Sequence, residues 1–483
     1  MYFDFFSFNP EAIYPDDIFW RPAVAYPEYR YVSLGLSERN DVYSMIRDMF
    51  VSLNLDSENY GTKEWNPLGE FIKEGQTVLV KPNLVRDINR AVEGREGFEC
   101  LITHPSVIRC IVDYILIALN GTGKIIVADA PVQGCDFERL LNNSRLHDLE
   151  EFYGKSGVEI KIEDLRLVRM ESEAGVNVTK ANDVKYKGIE VDLGNASRFY
   201  NDEHEGKVRI TNYDYHLLND YHKGSVQKYC ISQACLEADV IVNICKPKSH
   251  RKAGYTGALK NMIGVNAAKE YLPHHTKGSK EKGYGDEYLS NQFVSRARST
   301  LGEQIDFCNR KERYTFARLL QIGLKVIEKF GHKYDTEKYR EGSWWGNDTI
   351  WKTILDVNRI IKYADKQGHI QDDIQRTMIT FGDMILCGEK EGPLMPTPKH
   401  VGGILFADNA VVFDLILTKL MGFDRNKLAV ISNAIQDEDM FTGKVNDVFV
   451  HSNEDMYNCR LDSIEKDFAF VASDGWTGVI DKY

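Results

Sequence analysis

No apolar stretch in the sequence is long enough to span a bilayer. The nearest candidate, Ile108 to Leu119, is cut by Asp113, whereas a span needs roughly 20 apolar residues. A surplus of positive charge is also missing. The chain carries 60 Lys and Arg against 72 Asp and Glu, a net charge of -12, which excludes a broad basic face for nucleic acid. Closely spaced cysteine pairs are missing too. The nine cysteines are scattered and form no C-x-x-C, so neither a disulfide framework nor an iron–sulfur or structural zinc site is expected. A reducing, cytoplasmic setting follows as the expectation. The aromatic, acidic N-terminus (Asp4, Glu11, Asp16, Asp17) is unlike a secretion signal. Internal repeats and low-complexity tracts are absent.

What is present suffices for a large core. Hydrophobic residues make up 43% and charged residues 27% of 483 positions, outside the disordered range. At roughly 150 residues per domain, that length allows about three domains or one interrupted α/β unit.

The pattern predicts α/β architecture. QTVLVKPN (76–83), KIIVAD (124–129) and LEADVIVNIC (236–245) are short apolar runs of the kind that form buried parallel strands. A fourth strand is expected at Val158 to Ile162. Between the first two, apolar residues from Ile108 to Leu119 recur at helical spacing, after Thr103 as a cap and Pro105 at the first turn. Strand, helix, strand implies a right-handed parallel crossover. Residues 377–387 and 402–407 return to strand-like runs, and Asn409 to Leu420 to a helix capped by Asp408. The expected fold is therefore Rossmann-like, a mainly parallel sheet flanked by helices. An N-terminal arm covers 1–75, and core segments cover 76–167, 226–268 and 376–430. A β-hairpin insertion fills 168–225, a mobile loop with a helical insertion fills 269–375, and a tail covers 431–483.

In such sheets ligands bind beyond the carboxyl ends of strands. Those ends carry Lys81 and Asn83, Asp129, and Lys246, Lys248 and His250. Gly257, Lys260 and Asn261 follow soon after. Ammonium groups gathered at one rim repel each other unless an anion sits among them, so an anion pocket is predicted. In it Lys81, Asn83, Lys248, Gly257, Lys260 and Asn261 bind substrate, while His250, Asp129 and Lys246 do the chemistry. Asp408, Asp414 and Glu391 form a carboxylate set suited to Mg²⁺ or Mn²⁺. His104 reads as a helix-start residue. His274 and His275 are adjacent, so they make a poor metal pair, yet either could touch substrate. Trp344 and Trp345 are either a packed corner or a platform for a flat ring, and Cys135 has no basic partner nearby.

VLVKPNLV (78–85), THPSVI (103–108), ADVIVNICKPKSH (238–250), TGALKNMIGV (256–265), GDMILCGEKEGP (382–393) and ADNAVVFDLILTKLMGF (407–423) together resemble the blocks of domain-of-unknown-function family 362. The resemblance covers about 76–430 in the expected order and implies one α/β core over that range. It implies no settled reaction. Relatives often carry ferredoxin-like cysteines or work near redox systems, but this chain lacks a C-x-x-C-x-x-C block.

The expected function is an enzyme, of transferase or ligase type, acting on a phosphorylated or otherwise anionic small molecule (nucleotide- or sugar-linked) by metal-assisted group transfer. The alternatives are a non-catalytic cofactor- or partner-binding assembly protein, or a flavin- or iron–sulfur-linked oxidoreductase.

Overall fold

A computed structural model describes residues 2–173, 176–211, 213–290, 292–331 and 339–481. Its centre is one large sheet. The strands along its main path are β1 (Asp4–Phe8), β2 (Thr77–Pro82), β3 (Lys124–Asp129), β4 (Ile162–Asp164), β5 (Val240–Cys245), β6 (Thr377–Glu391) and β7 (Met395–Ala407), in the spatial order β1-β7-β6-β5-β2-β3-β4. Strands β6, β5, β2, β3 and β4 run parallel, and β7 closes one side antiparallel to both β6 and β1. The fold is thus mixed α/β with a mostly parallel sheet. The order reverses at β2: the chain steps outward through β3 and β4, then returns to β2's other side as β5.

The central strands are apolar because both of their faces are covered. Val78, Val80, Val240 and Val242 pack into one layer with α1 (Asp41–Ser52), α2 (Pro105–Leu119) and α3 (Leu146–Lys155). Leu79, Ile126 and Ile241 face the other layer, with α4 (Ala258–Asn261), α5 (Ile350–Tyr363) and α6 (Ala410–Met421). Alternate residues of one strand therefore feed two cores.

Several boundaries differ from the sequence reading. His104, not Thr103, caps α2, its side chain accepting from Ser106 N–H. Thr103 instead donates to the Ile244 carbonyl across the sheet. Asn409, not Asp408, caps α6 through Val411 and Val412 N–H. Strand β4 begins at Ile162, where the predicted strand ended, because pairing with β3 starts at Val127. Within the first insertion Val168–Glu173 pairs with Val176–Ala181. The insertion also runs past residue 225: Val226–Ser232 pairs with Gly188–Asp192 and His222–Lys223.

Two segments expected to be peripheral are built into the core. The N-terminal arm supplies β1 and the buried Tyr14. The segment 269–288, expected to be a mobile loop, packs inward. Leu272, His275, Thr276, Asp286 and Glu287 are buried, and His275–Thr276 pairs with Val208–Arg209. Asp286 holds it by accepting from the Thr276 and Asp348 amides and the Thr349 hydroxyl. No helix among the described residues is long and apolar enough to cross a membrane.

Candidate functional site

A cavity of about 610 Å³ opens where the order of the sheet reverses. Asn83 and Arg86 reach it from the end of β2, Asp129 to Gly134 from the end of β3, and His250 to Lys252 and Lys260 to Gly264 from the segments after β5. Lys269 and His274 come from the inward-packed segment.

The strand ends are fixed by a chain of side-chain hydrogen bonds. Lys248 Nζ donates to Asn83 Oδ1 at 2.9 Å, and Asn83 Nδ2 donates to Asn261 Oδ1 at 2.7 Å. Asn261 Nδ2 donates to Asn243 Oδ1 at 2.7 Å, and Asn243 Nδ2 to the Ala258 carbonyl at 3.0 Å. The chain starts at an ammonium that can only donate and ends at a carbonyl that can only accept, so all three amide orientations are determined. Asn243 was not nominated from the sequence. The signal was available: it is the one polar residue in the apolar strand VIVNIC.

Lys81 is sealed from solvent and pairs with Asp129 Oδ1 at 2.8 Å. Asp129 also accepts from the Leu84 and Ala130 amides, so it organises the turn after β3. A Cβ on Gly264 would collide with Asp129 Oδ1 and lie 2.7 Å from Lys81 Nζ. Gly264→Ala is therefore expected to destabilise the protein by about 1–3 kcal/mol, read from urea unfolding. A neutral result would show that this corner has room to relax.

The remaining cations differ in one respect. Among the described residues Arg86, Arg90, Arg251, Lys252 and Lys260 form no ion pair, and a guanidinium Nε of Arg86 is buried without a partner. Lys269 donates only to the Ala130 and Asn266 carbonyls. Burial, then the neighbouring Lys81, pushes Lys260 down to about 8. Burial pushes Lys269 down to about 7, with Lys81 adding to it against the pull of Asp129. Six cationic side chains thus line a cavity whose acids are Asp129 and Glu341. The cavity of about 510 Å³ beside His104 contrasts with it. There Arg95 pairs with Glu99 and Arg145 with Asp148.

Other nominated residues are placed elsewhere. Lys246 Nζ is sealed against Asp383 Oδ2 at 2.9 Å and Tyr14 Oη at 2.6 Å, and it does not line the cavity. The Tyr14 hydroxyl donates to Asp383 Oδ1, and its ring stacks on His104. Lys248 is likewise fully buried, and burial pushes it down to about 7. Gly257 begins α4, and a side chain there would strike Asp414. Asp414 accepts from Ala258 N–H, Leu259 N–H and the Tyr255 hydroxyl. It is a cap donated from α6, which explains a carboxylate in an apolar helix.

The expected metal set requires correction. Asp414 faces the start of α4, Asp408 lies against Phe3, and Glu391 accepts from Asp474 N–H. The three carboxylates serve three different contacts. No group of three or more His, Cys, Asp or Glu among the described residues is placed to hold a metal ion. His250 is not the proton acceptor expected of it at Nδ1, since that atom already accepts from the Lys252 and Ala253 amides. Trp344 is a packed corner, its indole N–H donating to the Asp286 carbonyl. Cys135 is buried, and burial raises its thiol, which removes the thiolate a nucleophile needs.

Comparison with known proteins gives one family and a weak similarity to a solved structure. None of the curated proteins matches. A crystal structure of a protein from Thermotoga maritima is similar at 11% identity and a TM-score of 0.28, with 75% of this chain covered. The chain spans 55% of the length of that protein. The family described as "Domain of unknown function (DUF362)" matches residues 78–193 and 197–419, most of the sequence and all of the cavity's strand ends. The chain belongs to that family.

Proposed function

We propose that the protein is an enzyme acting on a small anionic molecule, bearing phosphate or carboxylate and linked to a nucleotide or sugar, held in the cavity at the strand ends. One observation carries this reading: the cavity's lysines and arginines have no carboxylate partners. An unpaired, partly buried cation is unfavourable unless a ligand supplies the counter-charge. Two features support the placement. The parallel strands run β4-β3-β2-β5-β6 with the reversal at β2, the order of a Rossmann-like core, whose ligands sit at that switch point. Preorganised cations also suit group transfer, where negative charge develops in the transition state. The carboxylates first nominated for a metal do not fit one, and no step is assigned to it. Nine free cysteines support a reducing, cytoplasmic setting.

The cations give the reading a pH signature. An ammonium with a lowered value is charged only below that value, and the anion binds the charged form. Sulfate is the useful probe because its own charge does not change in this range. Its affinity is expected to be highest near pH 6 and to fall several-fold by about pH 9, as Lys269 and then Lys260 lose their protons. Titration calorimetry across that range measures it. A flat or rising profile contradicts the assignment of these lysines to the ligand.

A further inference from the structure

We propose that His250 and His274 form a fixed donor–acceptor pair in this cavity, which selects an anionic compound carrying a hydroxyl group beside its charge. The inference rests on the anion-cavity reading and extends it to the substrate class. The two tautomers follow from hydrogen bonding. His250 Nδ1 accepts from Lys252 N–H at 3.0 Å and Ala253 N–H at 3.1 Å. A nitrogen that accepts carries no proton, so the ring proton is on Nε2. His274 Nδ1 lies 2.8 Å from the Leu272 carbonyl. A carbonyl only accepts, so this Nδ1 carries the proton and Nε2 keeps a lone pair.

Both rings line the cavity, and neither Nε2 has a partner among the described residues. Burial disfavours the charged form of both rings. The cations Lys260, Arg251 and Lys252 around His250, and Lys252, Lys260 and Lys269 around His274, act in the same direction, against the pull of the Leu272 carbonyl on His274. His274 is also held in place. Its amide donates to the Arg209 carbonyl, and its carbonyl accepts from Asn347 Nδ2.

A site built only for an anion has no use for an acceptor. The His274 lone pair repels phosphate or carboxylate oxygen and asks for an O–H or N–H. A ligand ammonium would be repelled by Lys252 and Lys260, which leaves a neutral donor; of these, the hydroxyl is the one we assign. His250 Nε2–H supplies a neutral donor to the charged group. The complementary ligand is a phosphorylated or carboxylated alcohol, such as a sugar or polyol phosphate.

Two measurements on the full chain test this. Long-range ¹⁵N–¹H correlation, with each ring assigned by its own variant, is expected to show His250 protonated at Nε2 and His274 at Nδ1. Inorganic phosphate and glycerol 3-phosphate are then titrated against wild type, His274→Asn and His250→Asn. Asparagine at 274 keeps a donor for the Leu272 carbonyl but removes the distal acceptor. It is expected to lower glycerol-phosphate affinity about tenfold while leaving phosphate within about twofold. His250→Asn keeps the acceptor for the two amides and is expected to weaken both ligands alike. Circular dichroism confirms that each variant is folded. Reversed tautomers, or equal losses for both ligands in His274→Asn, overturn the pair while phosphate binding by wild type leaves the anion cavity standing. No phosphate binding by wild type, with the tautomers as assigned, overturns the cavity reading and the substrate class with it.

Discussion

Lys260→Gln is expected to weaken sulfate or phosphate binding by about tenfold or more, with the unliganded protein melting at the same temperature or higher. A charge-assisted hydrogen bond is worth about 1.5–3 kcal/mol, which is roughly ten- to a hundredfold in affinity. Lys260 sits partly buried on α4, without a carboxylate partner and beside the buried Lys81. Its charge is a liability to the empty fold, so glutamine removes a strain rather than a support. The two effects run in opposite directions, which separates a ligand-binding lysine from a structural one. Calorimetric titration and a thermal melt without ligand measure them. A lower melting temperature with unchanged binding would mean that Lys260 holds the fold, and the cavity would lose its central cation.

Asp383→Ala is expected to have the largest effect on stability, a loss of about 3–5 kcal/mol. Asp383 and Lys246 are both fully buried, and the same carboxylate accepts from the Tyr14 hydroxyl and the His104 amide. Alanine leaves an ammonium, a phenol and an amide without their acceptor in a place water does not reach. A whole domain is stable by only about 5–15 kcal/mol, so the variant should unfold at much lower urea concentration. The double variant Asp383→Ala, Lys246→Met removes the orphaned charge and should recover part of the loss. If the single variant costs under about 1 kcal/mol, the pair is not the sealed bridge described here.

These two lysines show how far the sequence could be read. Lys246 and Lys260 come from neighbouring blocks, and both were nominated for the same pocket. Strand-end position is legible because a buried parallel strand is a short apolar run that stops at a polar turn, as VIVNICKP does. The partner of each lysine is not legible. Asp383 lies 137 residues from Lys246, and Asp414 lies 156 residues from the amide it caps. Asp414 drew notice as a charge in an apolar helix, and the notice was sound. Its reading as a metal ligand was not, because only the packed α4–α6 contact reveals the amides that satisfy it. Arg86, Arg90 and Lys269 were missed for the complementary reason: nothing about a surface-type cation in a loop marks it as unpaired. His274 was noticed only as a residue that could touch substrate.

The sequence alone determined the α/β class and the core strands and helices. Those depend on the local alternation of apolar and polar residues, which burial on one or two faces imposes directly. Only the tertiary structure decided which cations are neutralised and which carboxylates are caps. Both are set by the nearest donor or acceptor in space, and for Lys246 and Asp414 that group is more than a hundred residues away along the chain.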